Sequence, residues 1–130
     1  AEELLEVTRK ALKAGIAAVR PGRHVSDIGA AIEKVVPAGY GIVEALCGHG
    51  LGYSLHEEPQ IPNYVIRGYK GALLKPGMVL AIEPMIIHGD KDVVFDERDG
   101  YAVRSADGHV AAHMEHTVLV TEKGAEVLTR

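Results

Sequence analysis

The chain has 130 residues, 47% of them hydrophobic and 25% charged, as in an ordinary globular protein with room for a buried core. Its net charge of −4 is mild and evenly spread, which argues against nucleic acid or a membrane surface as a partner. No apolar run approaches the roughly 20 residues of a membrane span, and the acidic N-terminus is unlike a signal peptide. We therefore expect one domain over residues 1–130.

A single cysteine, Cys47, excludes an intramolecular disulfide and fits a reducing compartment. We accordingly predict a cytoplasmic location. The sequence begins at Ala1 and enters a helical pattern at once. That start suggests an excised or engineered piece, although a processed natural N-terminus would look the same.

Two amphipathic helices are predicted first. One runs from about Glu2 to Arg20 and ends at Pro21-Gly22, because proline cannot continue the hydrogen-bond ladder. Its apolar face consists of Leu5, Leu12, Ile16 and Val19. The other should have Ser26 or Asp27 near its N-cap. Its apolar residues are Ile28, Ile32 and Val35.

From Tyr40 onward, β-branched runs separated by glycines indicate a largely antiparallel sheet. The predicted strands are 41–47, 79–87, about 101–104, 111–121 and 126–129. The stretch 48–76 holds five glycines and three prolines, so we interpret it as a functional loop. Two helices that lead into a sheet give an α+β fold.

Two histidines lie in a glycine-rich segment. His49 is surrounded by Gly48, Gly50 and Gly52, which permit tight turns and close approach of a ligand. A surface loop histidine is the ordinary explanation for one such residue. Because His56 follows in the same segment, a site is favoured.

Two glutamates interrupt apolar strand patterns. Glu83 lies between Ile82 and Pro84, and Glu115 lies shortly before the apolar run 118–120. A carboxylate on an apolar face is costly unless it is paired or bound to a metal. A buried salt bridge to an arginine is the alternative for Glu83, and a solvated strand face accounts for His113.

One histidine and two glutamates from three separate segments (His49, Glu83 and Glu115) suit a site for a divalent transition metal. Bridging carboxylates hold two ions roughly 3.5–4 Å apart, with a shared water as nucleophile. His56 would then contact the substrate or the developing oxyanion. On spacing alone, a purely structural role for these residues stays open.

Four motifs resemble those of type I methionine aminopeptidases, and the resemblance covers essentially the whole chain. They are Cys-Gly-His-Gly-Leu-Gly at 47–52, His-Glu-Glu-Pro-Gln-Ile-Pro-Asn-Tyr at 56–64, Leu-Lys-Pro-Gly-Met-Val-Leu-Ala-Ile-Glu-Pro-Met at 74–85 and Glu-His-Thr at 115–117. Proline dipeptidases and X-Pro aminopeptidases share the His-Gly and Ile-Glu-Pro signals. They usually carry Glu-Asp-Thr at the last motif.

The resemblance implies the second half of a pita-bread fold, with two N-terminal helices packed on a mainly antiparallel, curved sheet. It implies that the activity is removal of N-terminal methionine from peptides. His49, Glu83 and Glu115 would be metal ligands, and His56 would be a catalytic histidine that contacts the substrate. Two divalent ions would fill a complete site, and Co, Mn, Fe and Zn suit these ligands alike.

The chain also departs from that family. Two aspartate ligands and a further catalytic histidine belong to the family's first half, upstream of where Ala1 begins. The isolated chain is therefore expected to bind metal weakly and to hydrolyse little or nothing. Tyr101 stands where the family usually has tryptophan, and Leu55 where it often has phenylalanine. Both are expected to contact substrate, but they fix no side-chain preference.

Two other functions are open. An uncovered apolar face favours association, either as a symmetric homodimer whose two sets of ligands share one cleft or with a complementing first-half chain. A non-catalytic binding module on the same fold is the other alternative. That module would be expected to have damaged ligands, whereas His49, Glu83 and Glu115 are all intact.

Overall fold

The computed structural model describes residues 1–95, 98 and 103–129. Two helices come first, α1 over Glu2–Ala17 and α2 over Val25–Val35. Asp27 supports the start of α2, because its carboxylate accepts a hydrogen bond from the main-chain N–H of His24 at 2.8 Å. Neither helix in this part of the chain is long and apolar enough to cross a membrane.

Ten strands follow the helices in the described ranges. They are β1 Gly41–Ile42, β2 Gly48–Leu51, β3 Glu57–Ile61, β4 Val79–Ile82, β5 Met85–Ile87, β6 Val93–Phe95, β7 Val103–Ser105, β8 Ala111–His113, β9 His116–Thr121 and β10 Gly124–Val127. A five-stranded sheet has the order β10-β9-β4-β2-β3, and a three-stranded sheet has the order β1-β5-β8. The strands β6 and β7 form a separate pair, and all pairings are antiparallel.

The main core lies between the helices and the five-stranded sheet. Its residues are Ala11, Leu12, Val19, Val25, Ile28, Ile32, Ile61, Leu74, Leu80, Ile82, Val118 and Val120. Close approach of α1 depends on Gly15, where a Cβ would lie 3.0 Å from Cδ1 of Ile32 and 3.2 Å from Cγ2 of Ile82. Ile82, which precedes Glu83, is therefore held by packing against both helices.

Both sheets are interrupted at one place, which we call the seam and define as residues 83–84 and 114–115. The strand β4 ends at Ile82 and β5 begins after Pro84, while β8 ends and β9 begins on either side of 114–115. The breaks coincide, since Ile82 pairs with His116 in the five-stranded sheet and Met85 pairs with His113 in the three-stranded sheet. Each break therefore leaves one glutamate at the junction of the two sheets.

Several details of the helices differ from the prediction. Of the apolar face predicted for the first helix, Leu12 and Val19 are buried and Ile16 packs against the core. Leu5, however, is 45% exposed, and its neighbour Leu4 is buried at 2% exposure instead. The N-cap of α2 is His24, and Ser26 and Asp27 lie near it as predicted, with Asp27 at the third helical position. Val35, which was expected on the apolar face, is exposed at the end of α2.

The strand predictions also need correction. The predicted loop 48–76 contains β2 and β3, and the strand predicted over 41–47 is paired only at Gly41–Ile42. The predicted strands 79–87 and 111–121 are each broken at the seam. The last strand ends at Val127, and β6 was not predicted.

Candidate functional site

Three of the predicted site residues converge. His49, Glu83 and Glu115 each present one nitrogen or oxygen atom, and these atoms all lie within 4.8 Å of one another. His49 and Glu83 are partly buried, and Glu115 is exposed. In the part of the chain that the structure describes, they form the one group of three or more His, Cys, Asp or Glu residues with this spacing.

Strand geometry explains why these side chains meet. His49 lies on β2 opposite Ala81 of β4, two residues before Glu83. Gly48 allows this pairing, because a Cβ there would collide with the carbonyl oxygen of Ala81 and lie 3.3 Å from Cβ of Ile61. Glu83 and Glu115 lie in the seam between strands, and each presents a carboxylate oxygen within 4.8 Å of a ring nitrogen of His49.

Both ring nitrogens of His49 face oxygen atoms. Nδ1 lies 3.0 Å from the main-chain oxygen of Gly50, and Nε2 lies 2.9 Å from Oε1 of Glu83. A carbonyl oxygen only accepts, so Nδ1–H donates to Gly50, and a neutral imidazole then has only a lone pair at Nε2. A lone pair and a carboxylate oxygen at this distance repel each other unless a cation or a proton lies between them.

A divalent ion fits this arrangement. Two donors bound at about 2.1 Å from one ion, roughly at right angles, lie about 3 Å apart, close to the separation of Nε2 and Oε1. Metal-binding histidines typically donate their other N–H to a carbonyl or carboxylate, as His49 does to Gly50. Residues His49, Glu83 and Glu115 could therefore hold such an ion.

Glu83 is held at both its main chain and its side chain. Asn63 is fully buried, and its Nδ2 donates to the main-chain oxygen of Glu83 at 3.3 Å. His113 Nε2 lies 3.2 Å from Oε2 of Glu83. This hydrogen bond, aided by the charges of Glu83 and Glu115, raises the pKa of His113 against the opposing effect of partial burial.

Glu83 and three histidines, His49, His56 and His113, border one cavity of about 920 Å³, which Glu57 and Glu58 also line. His56 lies on its wall next to His49, with the two ring centroids 4.2 Å apart and the rings tilted by 49°. Much of the remaining wall is apolar: Val43, Ala45, Leu46, Met85, Ile87, Val93, Val103, Ala111 and Ala112. The cavity thus combines candidate metal donors with a surface that an apolar side chain can contact.

Two further residues, Leu55 and Tyr101, are predicted to contact the substrate. Leu55 is 72% exposed and is not among the described residues that line it, so its contact with substrate stays a prediction. Tyr101 lies outside the described residues. Cys47 does line the cavity, and burial raises the pKa of its thiol, which keeps the thiol protonated.

Two residues of the site were missed in the sequence. His113 was assigned to a solvated strand face, although it lines the cavity and contacts Glu83. Asn63 was not singled out, although it belongs to the motif at 56–64. The usable signal for His113 was its place two residues before Glu115 on the same predicted strand.

A sequence model of metallopeptidase family M24 matches residues 1–122, and the chain belongs to this family. Metallopeptidases act through bound metal, and the His and Glu donors of this site suit divalent ions.

Within the family, the chain is similar to methionine aminopeptidases. Methionine aminopeptidase B of Synechocystis is 44% identical over 130 residues, covering 99% of this chain and 47% of that protein. The methionine aminopeptidase structure from Rickettsia prowazekii matches with a TM-score of 0.93 at 39% identity, covering 99% of this chain and 52% of that one. The structure from Thermotoga maritima matches with a TM-score of 0.91 at 45% identity, covering 99% and 51%.

The chain therefore spans about half the length of the relatives it matches. These comparisons confirm the resemblance to type I methionine aminopeptidases that the motifs indicated. They also confirm the expected α+β fold, with two helices and antiparallel sheets that correspond to half of a pita-bread unit.

Proposed function

We propose that this chain supplies one side of a dinuclear metal site in an enzyme that removes methionine from peptide N-termini. The convergence of His49, Glu83 and Glu115 within 4.8 Å carries the proposal. Residues 1–130 would form one structural unit, the second half of the catalytic domain. Two ions would fill the complete site, and the donors suit Co, Mn, Fe or Zn.

Each residue has a distinct role in this proposal. Divalent ions in such a site supply Lewis acidity, which activates a water and polarises a peptide carbonyl. His49 offers the Nε2 lone pair while the contact between Nδ1 and Gly50 fixes its ring, and Glu83 and Glu115 offer carboxylate oxygens. His56 lies beside His49 on the cavity wall, and its proposed role is to donate a hydrogen bond to the substrate.

The substrate side of the proposal rests on the cavity wall. An apolar wall beside charged donors suits a peptide whose first side chain is apolar and whose N-terminus approaches the glutamates. Leu55 and Tyr101 are proposed to contribute further substrate contacts. Their departures from the family pattern leave room for apolar first residues other than methionine.

The remaining donors would come from a second unit. A complementing first half is the favoured source, because the matched relatives are about twice as long as this chain. A second copy is the alternative, and the exposed apolar residues Val94 and Phe95 of β6 support association. A cytoplasmic location stays a prediction from Cys47.

Metal titration tests the ligand assignment. We expect Glu83→Gln and Glu115→Gln to weaken Co²⁺ or Mn²⁺ binding at least about tenfold relative to the parent chain, since each loses a charged oxygen donor. Glu58→Gln is the matched control, because Glu58 lines the same cavity but is outside the converging group. Calorimetry that gives all three variants the parent affinity would show the assignment to be wrong.

Complementation tests the activity. Hydrolysis of a Met-initiated peptide is measured with the chain alone and with a first-half chain from a methionine aminopeptidase added. We expect turnover only in the mixture. Light scattering with and without metal runs in parallel, and an active dimer of this chain alone would replace complementation by self-assembly.

A further inference from the structure

His113 and His49 contact different carboxylate oxygens of Glu83. His113 is carried by β8 of the three-stranded sheet, directly opposite Met85 of β5, whereas His49 is carried by the five-stranded sheet. His113 lines the cavity, and its side chain is 47% exposed. It is nevertheless outside the described group of atoms that converge within 4.8 Å.

The two oxygens of Glu83 have different partners. Oε1 faces Nε2 of His49 at 2.9 Å, and Oε2 faces Nε2 of His113 at 3.2 Å. An ionised carboxylate only accepts hydrogen bonds, so Nε2–H of His113 donates to Oε2. Oε2 thereby accepts the hydrogen bond from His113, and Oε1 faces His49 and the converging donors.

The conformational preferences of a glutamate side chain do not determine which carboxylate oxygen faces which partner. Rotation about its last side-chain bond is broad and roughly two-fold, so an untethered carboxylate samples many settings. Asn63 donates to the main-chain oxygen of Glu83. Among the described residues, it makes no hydrogen bond to the carboxylate oxygens of Glu83. The hydrogen bond from His113 restrains the side chain at Oε2, at 3.2 Å.

We propose that His113 is a positioning residue that orients the Glu83 carboxylate, so that Oε1 is presented to the metal site. This inference rests on the proposed function, since it assigns His113 a role in the same metal site. Partners of metal ligands that act in this way typically contribute 10–100-fold to metal affinity. His113 acts through Glu83 and is not itself a ligand.

The test is Co²⁺ titration of the 130-residue chain and its variants, with affinity read by calorimetry and coordination by the visible absorption of bound Co²⁺. We expect His113→Ala to bind Co²⁺ about 10–100-fold more weakly. His113→Gln should restore affinity to within about threefold, because its amide reaches about as far and donates one hydrogen bond. His109→Ala is the matched control, as His109 is an exposed histidine that pairs with Asp107 instead.

The possible results separate the two proposals. Parent-like affinity in His113→Ala, with weakened binding in Glu83→Gln, would overturn the role of His113 and leave the metal site standing. Parent-like affinity in both variants would overturn both. Failure of His113→Gln to restore affinity, together with an altered Co²⁺ spectrum, would make His113 a direct ligand and overturn the positioning role. Urea unfolding of each variant checks that a changed affinity does not reflect a lost fold.

Discussion

The side chain of Asn63 is buried and donates a hydrogen bond to the main chain of the candidate site. The variant Asn63→Ala measures how much this hydrogen bond stabilises the fold. The substitution removes the Nδ2 donor from the main-chain oxygen of Glu83. Leaving a buried acceptor without its partner costs about 1–3 kcal/mol, and this hydrogen bond is partly buried. The observed distance of 3.3 Å is long for this bond, and Oδ1 of Asn63 is buried without a partner among the described residues. Both facts favour the lower half of that range, about 1–2 kcal/mol.

Urea unfolding followed by circular dichroism provides the assay at pH 7. Asn63→Asp is the companion variant, since it keeps the shape but places a carboxylate against the carbonyl of Glu83. We expect it to lose more stability than Asn63→Ala, because a buried charge without a partner is the costlier defect. The reasoning is refuted if Asn63→Ala lies within about 0.5 kcal/mol of the parent or if Asn63→Asp is the more stable variant.

Two further predictions concern the rest of the fold. Leu4→Ala should lower the free energy of unfolding by about 2–5 kcal/mol and Leu5→Ala by far less, because only Leu4 is buried. Equal losses of the two variants in urea unfolding would contradict the burial of Leu4. Main-chain N–H groups of His109 and Asp90 lower the pKa of Asp107 from 3.8 to about 2. A lowered folded-state pKa stabilises the protein above the unfolded value, and this contribution is lost as the pH falls through about 2. Asp107→Asn should thus be destabilising at pH 6, by a margin that shrinks between pH 4 and pH 2. A constant margin in a pH series of unfolding curves would exclude this linkage.

Periodicity and composition were sufficient for the α+β fold but not for its finer register. Leu4 and Leu5 are adjacent, and a helical period fits either one, so only packing against the sheet decides which is buried. The glycines at 48 and 50 were interpreted as loop residues. In the structure they lie in β2, where a Cβ would collide with the carbonyl oxygens of Ala81 and Glu58. These glycines allow neighbouring strands to approach each other closely.

The same limit applies to the site. Glu83 and Glu115 could be singled out because each interrupts an apolar pattern in the sequence, and His49 because of its motif. In the structure both glutamates lie between strands, and Glu115 is exposed. His113 and Asn63 act on Glu83 from 30 and 20 residues away in the chain. Their roles depend on which strands pair and in what register. Hydrophobic patterning alone does not determine that pairing.

The seam has a mechanical consequence. Glu83 and Glu115 lie where both sheets are interrupted, and the main chain is tied there by a hydrogen bond from the N–H of Met114 to the oxygen of Pro84. Rotation of one sheet against the other about this line would leave the two acids together. It would change the separation of His49 and His113, because each imidazole travels with a different sheet. Through its two contacts, the Glu83 carboxylate would then change the direction in which its oxygens point as the angle between the sheets changed.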